Sequence, residues 1–110
     1  MKLSPDAIIP LEKATHYLLV PQARGDKSGF LAIAGYTLAD AGQLLRDLRT
    51  QILPMEATPQ RSDKFGQFYE IRGKLTGSNG TTISVRTIWM TEHLSGITKF
   101  VTLLPDKRQP

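Results

Sequence analysis

The chain has 110 residues, a net charge of +4, 22% charged residues and no cysteine. This length suits one domain over 1–110 with a single core, and the missing cysteines exclude a disulfide framework, a thiolate metal site and thiol chemistry. The opening MKLSPDAIIP contains no apolar run long enough for a signal-peptide core or a membrane span, so a soluble cytoplasmic protein with no membrane contact is expected. The positive balance suits anionic partners but falls short of a polybasic arm.

In chain order, Ser4-Pro5-Asp6 reads as a helix start, and Ile9, Leu11, Ala14, Leu18 and Leu19 fit a short helix interrupted near Pro10 and ending before Pro21. PQARGDKSGF is a loop by composition, with Gly25 as a turn residue and Asp26 or Ser28 capping the short helix that follows. Gly35 is its stop signal. Thr37 with Asp40 resembles a capping box, with Asp replacing the usual Glu. It opens the strongest helix, where Leu38, Ala41, Leu44, Leu45, Leu48 and Ile52 recur at helical spacing and Asp40, Gln43, Arg46, Asp47 and Arg49 lie on the other side. Leu53-Pro54 ends it, and MEATPQRSDK reads as a surface linker.

Three segments rich in β-branched and aromatic residues follow: GQFYEIRGKL, TTISVRTIWM and ITKFVTLLP. The turns GSNG at 77–80 and HLSG at 93–96 join them into an antiparallel meander. The fold class expected is therefore α+β, with N-terminal helices packed on a curved antiparallel meander of three to four strands. Pairing that aligns apolar rows puts Tyr69, Ile71 and Leu75 with Ile83, Val85 and Trp89 on the covered face, and sets Thr87 opposite Thr102 beside Phe100 and Leu104. The other face then collects Phe68, Glu70, Arg72, Lys74, Arg86, Ile88, Met90, Lys99, Val101 and Leu103. In this register Arg72 faces Arg86, a like-charge pair that is destabilising unless Glu70 or a bound anion sits between them. Such a face is either an ordinary wet sheet surface or a platform for phosphate, with Arg supplying a fork and Lys a point charge.

No Asp, Glu or His cluster has metal-ligand spacing, and no phosphate-binding glycine loop, dinucleotide fingerprint or nucleophile elbow occurs, so neither metal nor cofactor is expected. His16 lies on the first helix, where a surface or core role is expected. His93, in the turn at the end of the charged face, is either a turn residue or a proton-transfer group. Lys27 is either a helix-start lysine or a cation aimed at a phosphate; Thr102 either pairs with Thr87 or offers a hydroxyl to a site. Trp89 reads as core.

The runs KLSPDAIIPLEKATHYLLVP, GDKSGFLAIAGY, YEIRGKLTGSNG and TIWMTEHLSGITKFVTLLPDK together resemble a compact bacterial family of unknown function common in cyanobacteria. More distantly, Tyr17-Leu18-Leu19, Gly25, Lys27, Phe30, Gly35, Phe65-Gly66 with Tyr69, the GKLTGSNG run, Thr87 with Trp89, and Val101-Thr102 with Pro105 resemble C-terminal domains of polymorphic and contact-dependent toxins. That resemblance implies a barnase-EndoU-colicin-RelE-like fold whose sheet face cuts RNA without a metal. It assigns Arg72, Arg86 and Lys99 to phosphate charge and His93 to proton transfer, with Lys27, Lys74 and Thr102 contacting the substrate. It further implies a toxin held inactive by a small cognate antitoxin. Toxin relatives usually carry His-Pro after the first helix, where this chain has Val20-Pro21-Gln22, and that departure leaves room for a second expectation: a non-enzymatic interaction domain that forms a homodimer through Ile88, Met90, Val101 and Leu103.

Overall fold

The computed structural model describes residues 1–107. It is an α+β arrangement in which the helical segments precede a four-stranded antiparallel sheet of order β1-β2-β3-β4, formed by Thr58–Ser62, Gly66–Thr76, Thr82–Glu92 and Thr98–Pro105. Among the described residues no helix is long and apolar enough to cross a membrane.

The N-terminal segment departs from the helix expected there. Ser4 makes a turn, with Ala7 N–H donating to its carbonyl and Asp6 N–H to its Oγ. Ile8 then pairs with the outer edge of β4 at Lys99. The physical reason is Pro10: a helix through it would lose a backbone bond and clash with the preceding turn. The helix begins after the proline as α1, Leu11–Lys13, and widens into a π-helical stretch, Ala14–Leu18, that ends before Pro21. Gly25 takes a φ of 64°, and Asp26 Oδ1 accepts bonds from the backbone N–H and hydroxyl of Ser28, starting α2, Ser28–Ile33.

Thr37 and Asp40 form the capping box. They lead through a short 3-10 turn into α3, Ala41–Asp47, and on into a π-helical stretch, Leu48–Ile52. Ala41, Leu44, Leu48 and Ile52 are buried as their spacing requires. Asp47, expected on the wet side, is buried as well. It accepts bonds from Tyr36 Oη at 2.5 Å and Gln43 Nε2 at 2.7 Å, which offset the cost of removing a carboxylate from water. Burial and the Asp47 charge push the Tyr36 phenol well above its usual pKa, so it remains a donor.

The segment read as a linker contains the fourth strand. β1 pairs with β2 at Thr58–Glu70 and Pro59–Tyr69, then shifts register before Ser62–Gln67. Proline 59 and a fully exposed burial pattern mark it as an edge strand, and that polarity hid it from an apolar pattern search. β2 and β3 pair without irregularity over eleven positions, with Tyr69 opposite Trp89, Leu75 opposite Ile83 and Arg72 opposite Arg86. Trp89 meets Phe100 edge to face at 5.3 Å and donates Nε1–H to Thr87 Oγ1, which donates in turn to the Ile71 carbonyl.

A register shift between Ile88 and Trp89 alters the β4 pairing from that expected: Trp89 pairs with Phe100 but Ile88 with Thr102 and Thr87 with Leu103. One residue of β4 is unmatched, so the residues after it change sides. Leu103 is therefore core, fully buried, and Thr102 does not face Thr87.

The β2–β3 tip is fastened to the end of α2. Asn79 Nδ2 donates to the Ile33 carbonyl, Ser78 Oγ to the Gly35 carbonyl, and a Cβ on Gly77 would lie 2.0 Å from Ala34 O. Gly77→Ala is expected to cost at least about 2 kcal/mol in chemical denaturation, since backbone would have to move. Gly29→Ala, within α2 with nothing within 4 Å of the new methyl, is expected to stabilise by up to about 1 kcal/mol.

Candidate functional site

Alternation on the uninterrupted β2–β3 ladder puts Glu70, Arg72 and Lys74 on one face with Ser84, Arg86, Ile88 and Met90. The like-charge pair exists, and Glu70 is the group between its members. Its Oε1 accepts from Arg72 Nε at 2.9 Å; its Oε2 accepts from Arg86 Nε at 2.7 Å and lies 2.6 Å from Arg86 Nη2. Asp106, just past β4, accepts from Arg72 Nη1 at 2.6 Å while its own N–H donates to the Ser84 carbonyl. Burial works against the Arg72 cation, but the bond to Asp106 and the charge of Glu70 outweigh it and hold the guanidinium above its usual pKa. The two arginines and two carboxylates thus form a mutually neutralised cluster, with both acids buried.

The remaining expected residues divide. Lys74 is exposed and donates to Ser84 Oγ at 3.1 Å, two positions from Arg72. Lys99 stands opposite Met90 and pairs with Glu92 at 3.3 Å; four residues of β3 put it roughly 13 Å from Arg86. His93 lies seven residues beyond Arg86, roughly 23 Å along the strand. Its Nε2 is 2.9 Å from the Asp63 carbonyl and its N–H donates to the Phe65 carbonyl, so it braces the β1–β2 turn. Neither His93 nor Lys99 comes together with the arginines.

Lys27 and Thr102 do come close to them, along the free C-terminal half of the β4 edge. Two hollows meet at Lys27. One, of 520 Å³, is lined by Gly25, Asp26, Lys27, Arg72, Arg86 and residues 104–107; the other, of 450 Å³, by Pro10, Glu12, Lys13, Tyr17, Lys27, Val101 and Thr102. Together they form a groove in which Lys13, Lys27, Arg72, Arg86 and Lys107 outnumber Glu12, Asp26 and Asp106. Among the described residues no carboxylate pairs with Lys27. Its Nζ donates to Tyr17 Oη at 2.6 Å and lies 4.9 Å from that ring's centroid. Thr102 Oγ1, shielded from solvent, sits beside the phenol without closing a bond of normal geometry to any described group.

Tyr17 is the residue that sequence reasoning did not assign. The Lys27 bond first, then the Thr102 hydroxyl and the charges of Lys27 and Lys13, outweigh burial and draw the phenol below its ordinary pKa. The toxin resemblance includes Tyr17 and Lys27 but gives Tyr17 no role, and nothing local shows that the 21–27 loop returns Lys27 to it. Among the described residues no group of three His, Asp or Glu side chains could hold a metal ion.

A family model described as "Domain of unknown function (DUF6883)" matches residues 3–107. No curated protein and no solved structure matches, so the likeness to toxin domains finds no counterpart in these comparisons.

Glu70→Ala would leave two guanidinium groups facing each other at one register position. The melting midpoint is expected to fall by roughly 5 °C or more in a thermal scan, whereas Lys74→Ala leaves it nearly unchanged.

Proposed function

From the premise that the chain belongs to the DUF6883 family, we propose that it is a metal-independent ribonuclease of a toxin-antitoxin type system, holding an RNA phosphodiester in the groove at Lys27. The observation that carries this reading is the Lys27 ammonium, bonded to a phenol and to no described carboxylate, in a groove with an excess of cations. A phosphate oxygen is a strong acceptor for an ammonium and can share Lys27 with Tyr17 Oη, while Lys13 supplies further positive charge. Arg72 and Arg86 form the far bank, with donors already committed to Glu70 and Asp106, and act as a rigid wall more than as free forks. The protein would act in the cytoplasm, and a small acidic antitoxin covering the groove would silence it.

The neutralised arginine cluster favours a second reading, a non-enzymatic interaction domain that dimerises through the part-buried open-face residues Ile88 and Met90, with Val101 at the strand edge; Leu103 is withdrawn into the core. The two readings diverge in one assay. Purified protein is expected to cleave RNA in excess EDTA, and Lys27→Ala, folded by circular dichroism, to lose at least about 100-fold of that rate. An inert wild type that sediments as a dimer, made monomeric by Met90→Lys, would establish the interaction domain instead.

A further inference from the structure

We infer that Tyr17 and Lys27 form a self-restoring proton-transfer pair, which fixes the substrate as RNA bearing a 2'-hydroxyl at the cleaved nucleotide. The inference rests on the ribonuclease reading and names the chemistry that this reading lacks. Phosphodiester cleavage by the neighbouring hydroxyl needs a base for the 2'-OH and an acid for the 5'-oxygen. The histidines do not supply them: His93 is engaged with the Asp63 carbonyl at the far end of β3, and His16 lines neither hollow of the groove.

The 2.6 Å contact from Lys27 Nζ to Tyr17 Oη supplies both groups at one place. Tyr17 comes from the π-helical stretch and Lys27 from the end of the 21–27 loop, and Thr102 on β4 closes the third side. The titratable groups lining this part of the groove are Glu12 and Lys13 beside Tyr17 and Lys27 across from it; β4 contributes Val101 and Thr102, neither of which titrates. The two lysines favour the phenolate, and the buried Thr102 Oγ1 provides a hydroxyl with an unused bond. A phenolate is a competent base for a hydroxyl proton, whereas the neighbouring ammonium cannot accept one until it has given one up.

In the reaction, the Tyr17 phenolate takes the 2'-OH proton and the 2'-oxygen forms a bond to phosphorus. The P–O5' bond breaks and the leaving oxygen takes a proton from the Lys27 ammonium. The products are a 2',3'-cyclic phosphate and a 5'-hydroxyl, with no oxidant, reductant or co-reactant consumed. Tyr17 is then a phenol and Lys27 an amine, still in contact. Passing the proton along their hydrogen bond regenerates phenolate and ammonium.

The test uses an RNA oligonucleotide, the same oligonucleotide with one 2'-deoxy nucleotide at the cleaved position, and the variants Tyr17→Phe and Lys27→Met. Wild type is expected to leave a 2',3'-cyclic end by mass spectrometry and to spare the deoxy analogue. Its rate should rise with pH as the Tyr17 phenolate fills. Tyr17→Phe should reduce the rate at least about 100-fold and abolish the rising limb while still binding the deoxy analogue. In ultraviolet titration, the tyrosine absent from Tyr17→Phe should ionise below the ordinary phenol range and return toward it in Lys27→Met. A Tyr17→Phe enzyme with unchanged rate and pH profile overturns the pair and leaves the ribonuclease reading standing. Cleavage of the deoxy analogue, or a Tyr17 titration indifferent to Lys27→Met, also overturns the pair. A wild type that cuts no RNA overturns both.

Discussion

Two arginines stand opposite each other on neighbouring strands, and the carboxylate of Glu70 between them is the interaction on which the sheet's geometry turns. Glu70 is two residues from Arg72 on β2 and diagonal to Arg86 on β3, so one buried acid binds both guanidinium groups. A slip of one residue would separate this triad and also move Ile71, Leu75, Val85 and Trp89 out of the core. Apolar pattern and ion cluster therefore specify the same register from opposite faces. The cluster also settles where free charge is found. With Glu70 and Asp106 satisfying the arginines, Lys74 is left on the open face bonded to the Ser84 hydroxyl, and Lys27 lies at the edge, bonded to the Tyr17 phenol and to no described acid.

That edge is made by three backbone decisions. Pro10 delays the first helix, so that Tyr17 lies in the widened turn ending at Leu18. Gly25, at a φ where a side chain is strained, and the Asp26 turn bring Lys27 back beneath that tyrosine. The β4 irregularity puts Leu103 in the core and leaves Thr102 at the groove.

Much of the fold was legible because it follows from local rules. The capping box at Thr37, the turns at Gly80 and Gly96, and the β2–β3 register all follow from spacing, and each is present. What could not be read depends on contacts between distant segments. β1 is polar and takes its structure from β2; Asp47 is buried because Tyr36 reaches it; the β4 bulge is invisible to strict alternation. For the site, the Arg72–Arg86 pair was legible as register, but its neutralisation also needs Asp106, thirty-four residues away. Lys99 does lie on the open face, opposite Met90, and His93 in the turn beyond β3, but distance along the strand separates both from the arginines. Tyr17 was given no role because its contact with Lys27 is made by a loop closure that local pattern does not show.

The central claim is that nucleic-acid phosphate is held in the groove at Lys27 and not on the open sheet face. The most direct measurement is a two-dimensional amide NMR titration of the wild-type protein with an oligonucleotide blocked against cleavage by 2'-deoxy substitution. The shifts are predicted to cluster at Lys13, Tyr17, residues 25–27 and residues 101–107, with little change at Phe68, Met90 and His93. Shifts centred on Phe68, Ile88 and Met90, or none at concentrations well above physiological, would contradict it.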